Sequence, residues 1–217
     1  MMSSLELSAK GQQLVKLYQH MAENGYEKND GTTVDIAFSD FELRDYRQHL
    51  QDILKDYSVK TILDYGCGGS VWTTPNFDEN GQSAIEYFSL ENAYRFEPSR
   101  NFDERQKVDC VISFDVLEHV FIQDIPAVLR DMFSCAGKLI ILNAACFVAA
   151  AKLPNGETAH ITVRKPEWWK GMVDCISAEF PDVSVLLITS IGWRNSSKFP
   201  IWNANMWKNS ETFVVDN

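Results

Sequence analysis

The sequence has few basic residues for its number of acidic ones. Twenty Lys and Arg stand against thirty Asp and Glu, which gives a formal net charge of −10 at pH 7. A chain this acidic repels phosphate backbones, and nucleic-acid-binding proteins usually have the opposite balance. We therefore predict no nucleic-acid partner, although a local basic face stays open.

Long hydrophobic runs are also absent. The longest apolar stretch covers residues 139–153 and is interrupted by Asn143 and Lys152, so it is too short to span a bilayer. The first residues, MMSSLELSAKGQQ, contain neither the basic segment nor the apolar segment of a secretory signal. We therefore expect a cytoplasmic protein with no membrane partner.

The cysteines are few and show no metal-binding or disulfide pattern. There are five of them, an odd number, and no two form a C-x-x-C pair. This spacing indicates reduced thiols rather than a zinc site or a disulfide framework. No other ligand cluster supports a metal site either, so we predict none, although isolated Asp and His residues leave one open.

The chain length and the hydrophobic pattern predict one domain over residues 1–217. Residues 1–57 read as a helical N-terminal cap, with a helix over residues 5–21. A second helix follows the capping-box pair Ser39 and Glu42, because apolar residues then recur three and four apart up to Tyr57. Residues 58–217 form the expected core, and nothing in the sequence indicates the oligomeric state.

Beyond residue 58, strands and helices alternate. We predict strands over residues 59–65, 93–97, 108–114, 139–145, 183–189 and 212–215. We predict helices over residues 83–92, 124–136 and 166–180, with Asp124 as an N-cap. This alternation is typical of an α/β protein with a mainly parallel sheet. Such sheets bind ligands beyond the carboxyl ends of their strands, so we expect the site there.

A glycine turn follows the first predicted strand, in the string LDYGCGGS at residues 63–70. Glycines let the main chain turn sharply and approach a ligand closely. The turn lacks the Lys and the Ser or Thr of a Walker loop, and Val71 weakens a dinucleotide fingerprint. Asp64 adds a carboxylate, which suits a ligand with a cationic end better than a pyrophosphate.

Three stretches resemble class I S-adenosylmethionine-dependent methyltransferases. Residues 63–68 (LDYGCG) resemble the family's first motif, and residues 108–120 (VDCVISFDVLEHV) resemble its strand-four signature. Residues 153–169 resemble a bacterial and phage branch of the superfamily. The resemblance covers about residues 58–190. It implies a Rossmann-like fold, helices on both sheet faces, and methyl transfer from S-adenosylmethionine, with S-adenosylhomocysteine as the product.

The resemblance also implies which residues hold the cofactor. The glycine turn lies against its methionine part, the Asp64 position contacts its amino group, and an acid matching Glu97 accepts hydrogen bonds from its ribose hydroxyls. The implied cofactor-binding residues are Asp64, Tyr65, Gly66, Cys67, Gly68, Glu97, Asp115 and Leu117. Only about ten residues separate Glu97 from the next strand, so strand three is short or missing. The adenine-side acid that follows strand three in the family therefore has no assigned match, and Asp103 is one candidate.

We assign the acceptor side of the site to Asp115, His119 and His160. A hydroxyl acceptor needs a base, and histidine is suited to that role near neutral pH. His119 is alternatively a residue that shapes the cofactor pocket. His160 lies in a polar loop, residues 152–165, which could not be a core element. Trp168 in the next helix is a candidate for lining the acceptor site.

The expected activity is methyl transfer to a small or medium-sized acceptor, through oxygen or nitrogen rather than carbon. The alternative is a non-catalytic module that binds S-adenosylmethionine or S-adenosylhomocysteine, because the missing strand three departs from the family pattern. Val71 argues against a third reading, a nucleotide-dependent oxidoreductase. The net negative charge disfavours a nucleic-acid methyltransferase.

Overall fold

The computed structural model describes residues 5–35, 38, 43–192, 195–206 and 214–215. Its helices are α1 Ala9–Asn24, α2 Leu43–Asp56, α3 Ala84–Phe88, α4 Ile125–Cys135 and α5 Pro166–Ser177. The predicted helices of the N-terminal part are thus confirmed as α1 and α2. The predicted capping-box pair Ser39 and Glu42 lies outside the described residues.

The described strands form a small hairpin and one large sheet. The hairpin pairs β1 (Tyr26–Glu27) with β2 (Thr33–Val34). The large sheet contains β3 Thr61–Tyr65, β4 Asn92–Glu97, β5 Phe102–Asp103, β6 Val108–Ser113, β7 Ala136–Ala145, β8 Ser184–Gly192, β9 Asn195–Trp202 and β10 Val214–Val215. Their order across the sheet is β10-β9-β8-β7-β6-β3-β4-β5. The five central strands, β8 to β4 in this order, are parallel, so the expected mainly parallel sheet is confirmed.

Helices cover both faces of this sheet, as predicted. Successive residues of a strand point to opposite faces. Leu63 of β3 accordingly packs in the cluster that contains the apolar residues of α4 and α5. Its neighbour Ile62 packs in the second cluster, with Leu50 of α2 and Phe88 of α3. The sheet is therefore buried on both sides, which is why its central strands read as apolar runs.

Three elements differ from the sequence predictions. The helix expected over residues 83–92 ends at Phe88, because Ser89 adopts a left-handed conformation (φ 55°) and Asn92 already belongs to β4. The strand that the sequence predicts to be short or missing, the third strand of the family pattern, is the two-residue β5. It pairs antiparallel with β4. Strand β9 was not predicted, since its first residues, Asn195 to Lys198, are polar. It pairs antiparallel with β8 at the other side of the sheet.

Asp124 is the N-cap residue of α4, as predicted, but its side chain makes no capping hydrogen bond to this helix. Its carboxylate instead accepts hydrogen bonds from the backbone N–H and the hydroxyl of Ser8, at 2.9 and 2.7 Å. Ser8 is itself the N-cap of α1. A Cβ at Gly11 would overlap the Asp124 carboxylate, so glycine permits the close approach. Asp124 therefore anchors α1 to the core.

Helix α1 lies over the carboxyl edge of the sheet. Its buried residues Leu14 and Met21 pack against Ala149, Leu153 and Ala159 from the segment between β7 and α5. The helix and this segment close one side of the space above the strand ends. Within the described residues, we find no helix with the length and apolar character needed to cross a membrane.

Candidate functional site

A cavity of about 920 Å³ lies at the carboxyl ends of the central strands. The strands on either side of it are β3 and β6, which are adjacent in the sheet although β4 and β5 come between them in the chain. This is the switch point at which α/β sheets bind ligands. Residues from α1, from the turn after β3 and from the segments after β6 and β7 line the cavity.

The glycine turn after β3 forms one wall of the cavity. Gly66 and Gly68 have φ values of 83° and 54°, a region that favours glycine. The N–H groups of Gly66 and Cys67 both donate to the Phe96 carbonyl, at 2.7 and 3.2 Å, which ties the turn to the end of β4. A Cβ at Gly66 would overlap the Val116 side chain. The turn therefore needs glycine both for its backbone conformation and for its packing.

Asp64 presents a buried carboxylate beside this turn. Burial raises its pKa to about 7, although a hydrogen bond from Trp72 opposes the rise. Trp72 donates from Nε1 to Oδ2 at 2.9 Å. Trp72 is buried behind Asp64 and does not line the cavity. A cationic ligand group next to Asp64 would favour the ionised carboxylate.

Glu97 at the end of β4 reaches back to the glycine turn. Its Oε2 accepts from the Gly68 N–H at 3.1 Å, and its Oε1 accepts from the N–H and hydroxyl of Ser99 at 3.0 and 2.6 Å. An ionised carboxylate has about four acceptor sites. Glu97 therefore keeps capacity for one ligand hydroxyl where it lines the cavity. Asp103, the candidate adenine-side acid, instead forms an ion pair with Arg105 at the surface.

Asp115 follows β6 and faces the cavity with a left-handed backbone (φ 57°) that non-glycine residues seldom adopt. Glu118, one 3-10 turn later, is fully buried. Burial raises the pKa of Glu118 well above its usual range, and the adjacent Asp115 carboxylate adds to the rise. Burial would also raise the pKa of Asp115, but His119 and a hydrogen bond from Glu118 bring it below its usual value. The pair therefore favours a state in which the two carboxylates share one proton.

His119 lies beside this pair. Its Nδ1 is 2.9 Å from the Ala159 carbonyl oxygen and 2.6 Å from the Tyr18 hydroxyl. Burial lowers the pKa of His119, and the neighbouring Asp115 opposes that change. Since a carbonyl oxygen only accepts, the contact with Ala159 favours the tautomer with hydrogen on Nδ1 and a lone pair on Nε2.

His160 is buried rather than held in an open loop. The polar sequence around it predicts a loop outside the core, but the residue is only 6% exposed. Its Nδ1 lies 2.6 Å from the Phe147 carbonyl oxygen, which favours the same tautomer as in His119. The two imidazole rings meet edge-on, with centroids 4.8 Å apart. The structure thus brings together the side chains of Asp115, His119 and His160.

The other predicted contacts are divided between the cavity wall and the core. Leu117 was a predicted cofactor contact, but its side chain is wholly buried in the core below α4 and does not line the cavity. Tyr65 reaches the cavity at the turn, while its hydroxyl donates to Asp131 on the far side of the sheet at 2.7 Å. Cys67 does line the cavity, and burial raises its thiol pKa far above the usual range. Trp168 packs against the core next to Trp169, not in the cavity.

Residues 38–143 match a family model described as a methyltransferase domain. The match supports a class I methyltransferase family for this region. No curated protein and no solved structure matches the chain. The methyltransferase domain includes the glycine turn, Glu97, Asp115 and His119, so the family assignment and the cavity concern the same residues.

Two site residues escaped the sequence analysis. Tyr18 of α1 lies outside the matched methyltransferase domain and carries no motif, so no local signal pointed to it. Glu118 stands inside the string FDVLEHV but received no role, because only its burial beside Asp115 distinguishes it. The sequence shows no metal-ligand cluster, although isolated Asp and His residues left a metal site open. The fold brings His160 to within 4.8 Å of the carboxylates after β6, measured between ligand atoms.

Proposed function

We propose that the protein transfers a methyl group from S-adenosylmethionine to a small or medium-sized acceptor, through oxygen or nitrogen rather than carbon. One observation carries this proposal: a single cavity joins the glycine turn to the polar residues after β6 and β7. A methyltransferase needs both a cofactor site and an acceptor site within reach of one methyl group. The chain's net negative charge supports the further expectation that the acceptor is not a nucleic acid.

The cofactor's chemistry fits the residues that line the cavity. S-adenosylmethionine supplies a methyl group on a positively charged sulfur. Three acidic side chains face the cavity from three strand ends, namely Asp64, Glu97 and Asp115. Asp64 would accept hydrogen bonds from the cofactor's ammonium group, and Glu97 would accept one from a ribose hydroxyl. The cavity volume is within the range of about 300–1,000 Å³ that is typical of ligand sites.

The remaining residues would orient the acceptor. With hydrogen on Nδ1, His119 and His160 each keep an Nε2 lone pair that can accept a hydrogen bond or a proton. The lowered pKa of His119 keeps its imidazole neutral near pH 7. Helix α1 covers the cavity through Tyr18, which limits the access of water. These features support a site that accelerates methyl transfer mainly by aligning the acceptor with the methyl group of the cofactor.

Isothermal titration with S-adenosylhomocysteine tests the cofactor half of this proposal. We expect micromolar binding by the wild type and a loss of at least about tenfold in Asp64→Ala, since the ammonium group loses its carboxylate partner. Asp52→Ala is the matched control, because Asp52 is exposed on α2 and remote from the cavity. No binding by the folded wild type would overturn the proposal.

The second candidate is a non-catalytic module that binds S-adenosylmethionine or S-adenosylhomocysteine. The observation in its favour is β5, a two-residue antiparallel strand where a parallel third strand would extend the sheet. The measurement that separates the two is release of S-adenosylhomocysteine from S-adenosylmethionine, monitored against a panel of hydroxyl and amine acceptors. Turnover with any acceptor excludes the non-catalytic module.

A further inference from the structure

Four side chains around the end of β6 offer atoms that can ligate a metal, and these atoms all lie within 4.8 Å of one another. They are Asp115, Glu118, His119 and His160. We propose that this four-residue cluster binds one divalent transition-metal cation, and that the cation holds a hydroxyl-bearing methyl acceptor. The second part rests on the proposed function, whereas the first part does not.

The two histidines are oriented as metal ligands usually are. His119 and His160 each direct Nδ1 toward a backbone carbonyl oxygen, at 2.9 and 2.6 Å. A hydrogen bond from Nδ1–H to a carbonyl fixes the tautomer and leaves the Nε2 lone pair for a cation. The Tyr18 hydroxyl, 2.6 Å from Nδ1 of His119, adds a second neighbour that restricts this ring.

The buried carboxylate of Glu118 provides an independent indication. Its side chain is fully buried, and its Oε1 accepts from the Ala145 N–H at 2.8 Å. Among the described residues no N–H or O–H group of another residue donates to its Oε2, so a proton shared with Asp115 is what the protein itself can offer this oxygen. Buried carboxylate oxygens are nearly always satisfied, because an unpaired one loses its hydration without compensation. A cation among the four ligands would satisfy this oxygen.

A shared proton is the alternative occupant of the space between Asp115 and Glu118. Two adjacent carboxylates cannot both ionise at low cost unless a proton or a cation lies between them. A proton would account for the two carboxylates but not for two imidazoles held in the same tautomer beside them. Cation binding would displace that proton, so the two occupants differ in whether metal addition releases protons.

The donor set selects the class of cation. Two imidazole nitrogens favour a transition metal such as Zn²⁺ or Mn²⁺, and two carboxylates are compatible with both. Zn²⁺ lies about 2.0–2.2 Å from such atoms. Four tetrahedral ligands at this distance lie about 3.4 Å from one another. Atoms of the cluster that are 4.8 Å apart would therefore have to approach by more than about 1 Å when the cation binds.

The position of the cluster indicates what the cation would do. Asp115, His119 and His160 line the same cavity as the glycine turn, so a cation there would face the acceptor side. A divalent cation binds an acceptor oxygen and lowers the pKa of its hydroxyl, whose proton then leaves to solvent water. The inferred acceptor class is therefore a hydroxyl compound rather than an amine.

The test is metal binding by the tag-free full chain after dialysis against a chelator. Binding of Mn²⁺ is followed by the loss of the electron paramagnetic resonance signal of free Mn²⁺, and Zn²⁺ by calorimetry with proton release. We expect one cation per chain and a loss of affinity of at least about tenfold in His119→Gln/His160→Gln. The matched control is His20→Gln/His49→Gln, which changes two exposed histidines.

Three outcomes decide the inference. Binding that the double variant loses and the control retains supports it. No binding of either cation by the folded wild type overturns it, as does binding that the double variant retains. A titration with S-adenosylhomocysteine in the presence of chelator tests the proposed function separately from the cation site. If the protein binds S-adenosylhomocysteine but neither cation, the cation site is contradicted and the proposed function is not.

Stimulation of methyl transfer tests the acceptor class. With the cation bound, we expect at least about a tenfold gain in turnover for hydroxyl acceptors over the chelator-treated protein. Amine acceptors should show no such gain. An equal response of both classes, or a response of amines alone, would contradict the assignment of a hydroxyl acceptor.

Discussion

The Asp64 carboxylate illustrates how burial at a single residue makes a site selective for charge. It is surrounded by protein at the end of β3, with a donor from Trp72 on one oxygen. Burial makes the charged form costly and raises its pKa to about 7. A ligand ammonium group that replaces the lost hydration would favour the charged form, so ligand binding and ionisation of Asp64 are linked.

This linkage predicts that cofactor affinity depends on pH. Asp64 is protonated below its pKa of about 7 and ionised above it, and the ionised form attracts the ligand's ammonium group. The affinity for S-adenosylhomocysteine should therefore rise about tenfold between about pH 6 and about pH 8. Calorimetric titrations across this range measure it.

Asp64→Asn removes the titrating group, so its weaker affinity should be nearly constant over the same pH range. Asp52→Asn, at an exposed position on α2, should keep the wild-type profile. A wild-type affinity that does not change with pH would show that Asp64 does not contact the ligand's cationic end.

Gly66 is the second residue whose role can be measured. Gly66→Ala adds a Cβ at φ 83° that overlaps the Val116 side chain. A left-handed conformation costs an L-residue about 1–2 kcal/mol, and the overlap adds about 1–3 kcal/mol. Urea unfolding should therefore show a loss of about 2–5 kcal/mol.

Gly156→Ala separates these two contributions. Gly156 has a similar φ of 86°, but a Cβ there meets nothing within 4 Å. Its substitution should cost about 1–2 kcal/mol, the backbone contribution alone. Equal losses in Gly66→Ala and Gly156→Ala would mean that the turn tolerates the overlap with Val116.

At the scale of elements, α1 completes the site although it lies outside the matched methyltransferase domain. Its N-terminus is fixed by Ser8, whose hydroxyl accepts from the Gly11 N–H and donates to the Asp124 carboxylate. Tyr18, farther along the helix, then contacts His119 and the Ala159 carbonyl. The attachment of one helix end therefore determines how the cavity is closed.

Ser8→Ala should loosen α1 without unfolding the core. The variant loses the N-cap and one hydrogen bond to a buried carboxylate, together about 1–1.5 kcal/mol. Hydrogen exchange of the α1 amides should accelerate by about five- to tenfold. Ser134→Ala is the control, because the Ser134 hydroxyl bonds only within α4 among the described residues. Unchanged exchange in α1 would contradict the anchoring role.

Element boundaries were predicted best where burial repeats with a regular period. Strand β6 and helix α5 are close to their predicted ranges, since a doubly buried strand reads as an apolar run and Pro166 favours a helix start. The polar half of β9 has no apolar run that would predict a strand. This half of β9 is stabilised by its pairing with β8. Asp124 is a residue type that commonly caps a helix with its side chain, but its carboxylate accepts hydrogen bonds from the distant Ser8 instead.

At the scale of the whole molecule, the predicted single domain remains to be tested. The packing of α1 against the segment between β7 and α5 favours one cooperative unit. We expect thermal unfolding curves from far-ultraviolet circular dichroism and from tryptophan fluorescence to coincide. S-adenosylhomocysteine at about 100 times its Kd should raise the free energy of unfolding by about 2.7 kcal/mol. Two separate transitions would contradict a single domain.

The sequence by itself determined the sheet's central strands, the glycine turn and the acids at the strand ends. These features are local: a buried strand needs consecutive apolar residues, and a sharp turn needs glycine where φ is positive. The tertiary structure alone decided that Tyr18 and Glu118 lie beside His119 and His160 at one site. Their contacts join segments far apart in the chain, and such contacts leave no periodic pattern in the sequence, so only the folded chain could reveal them.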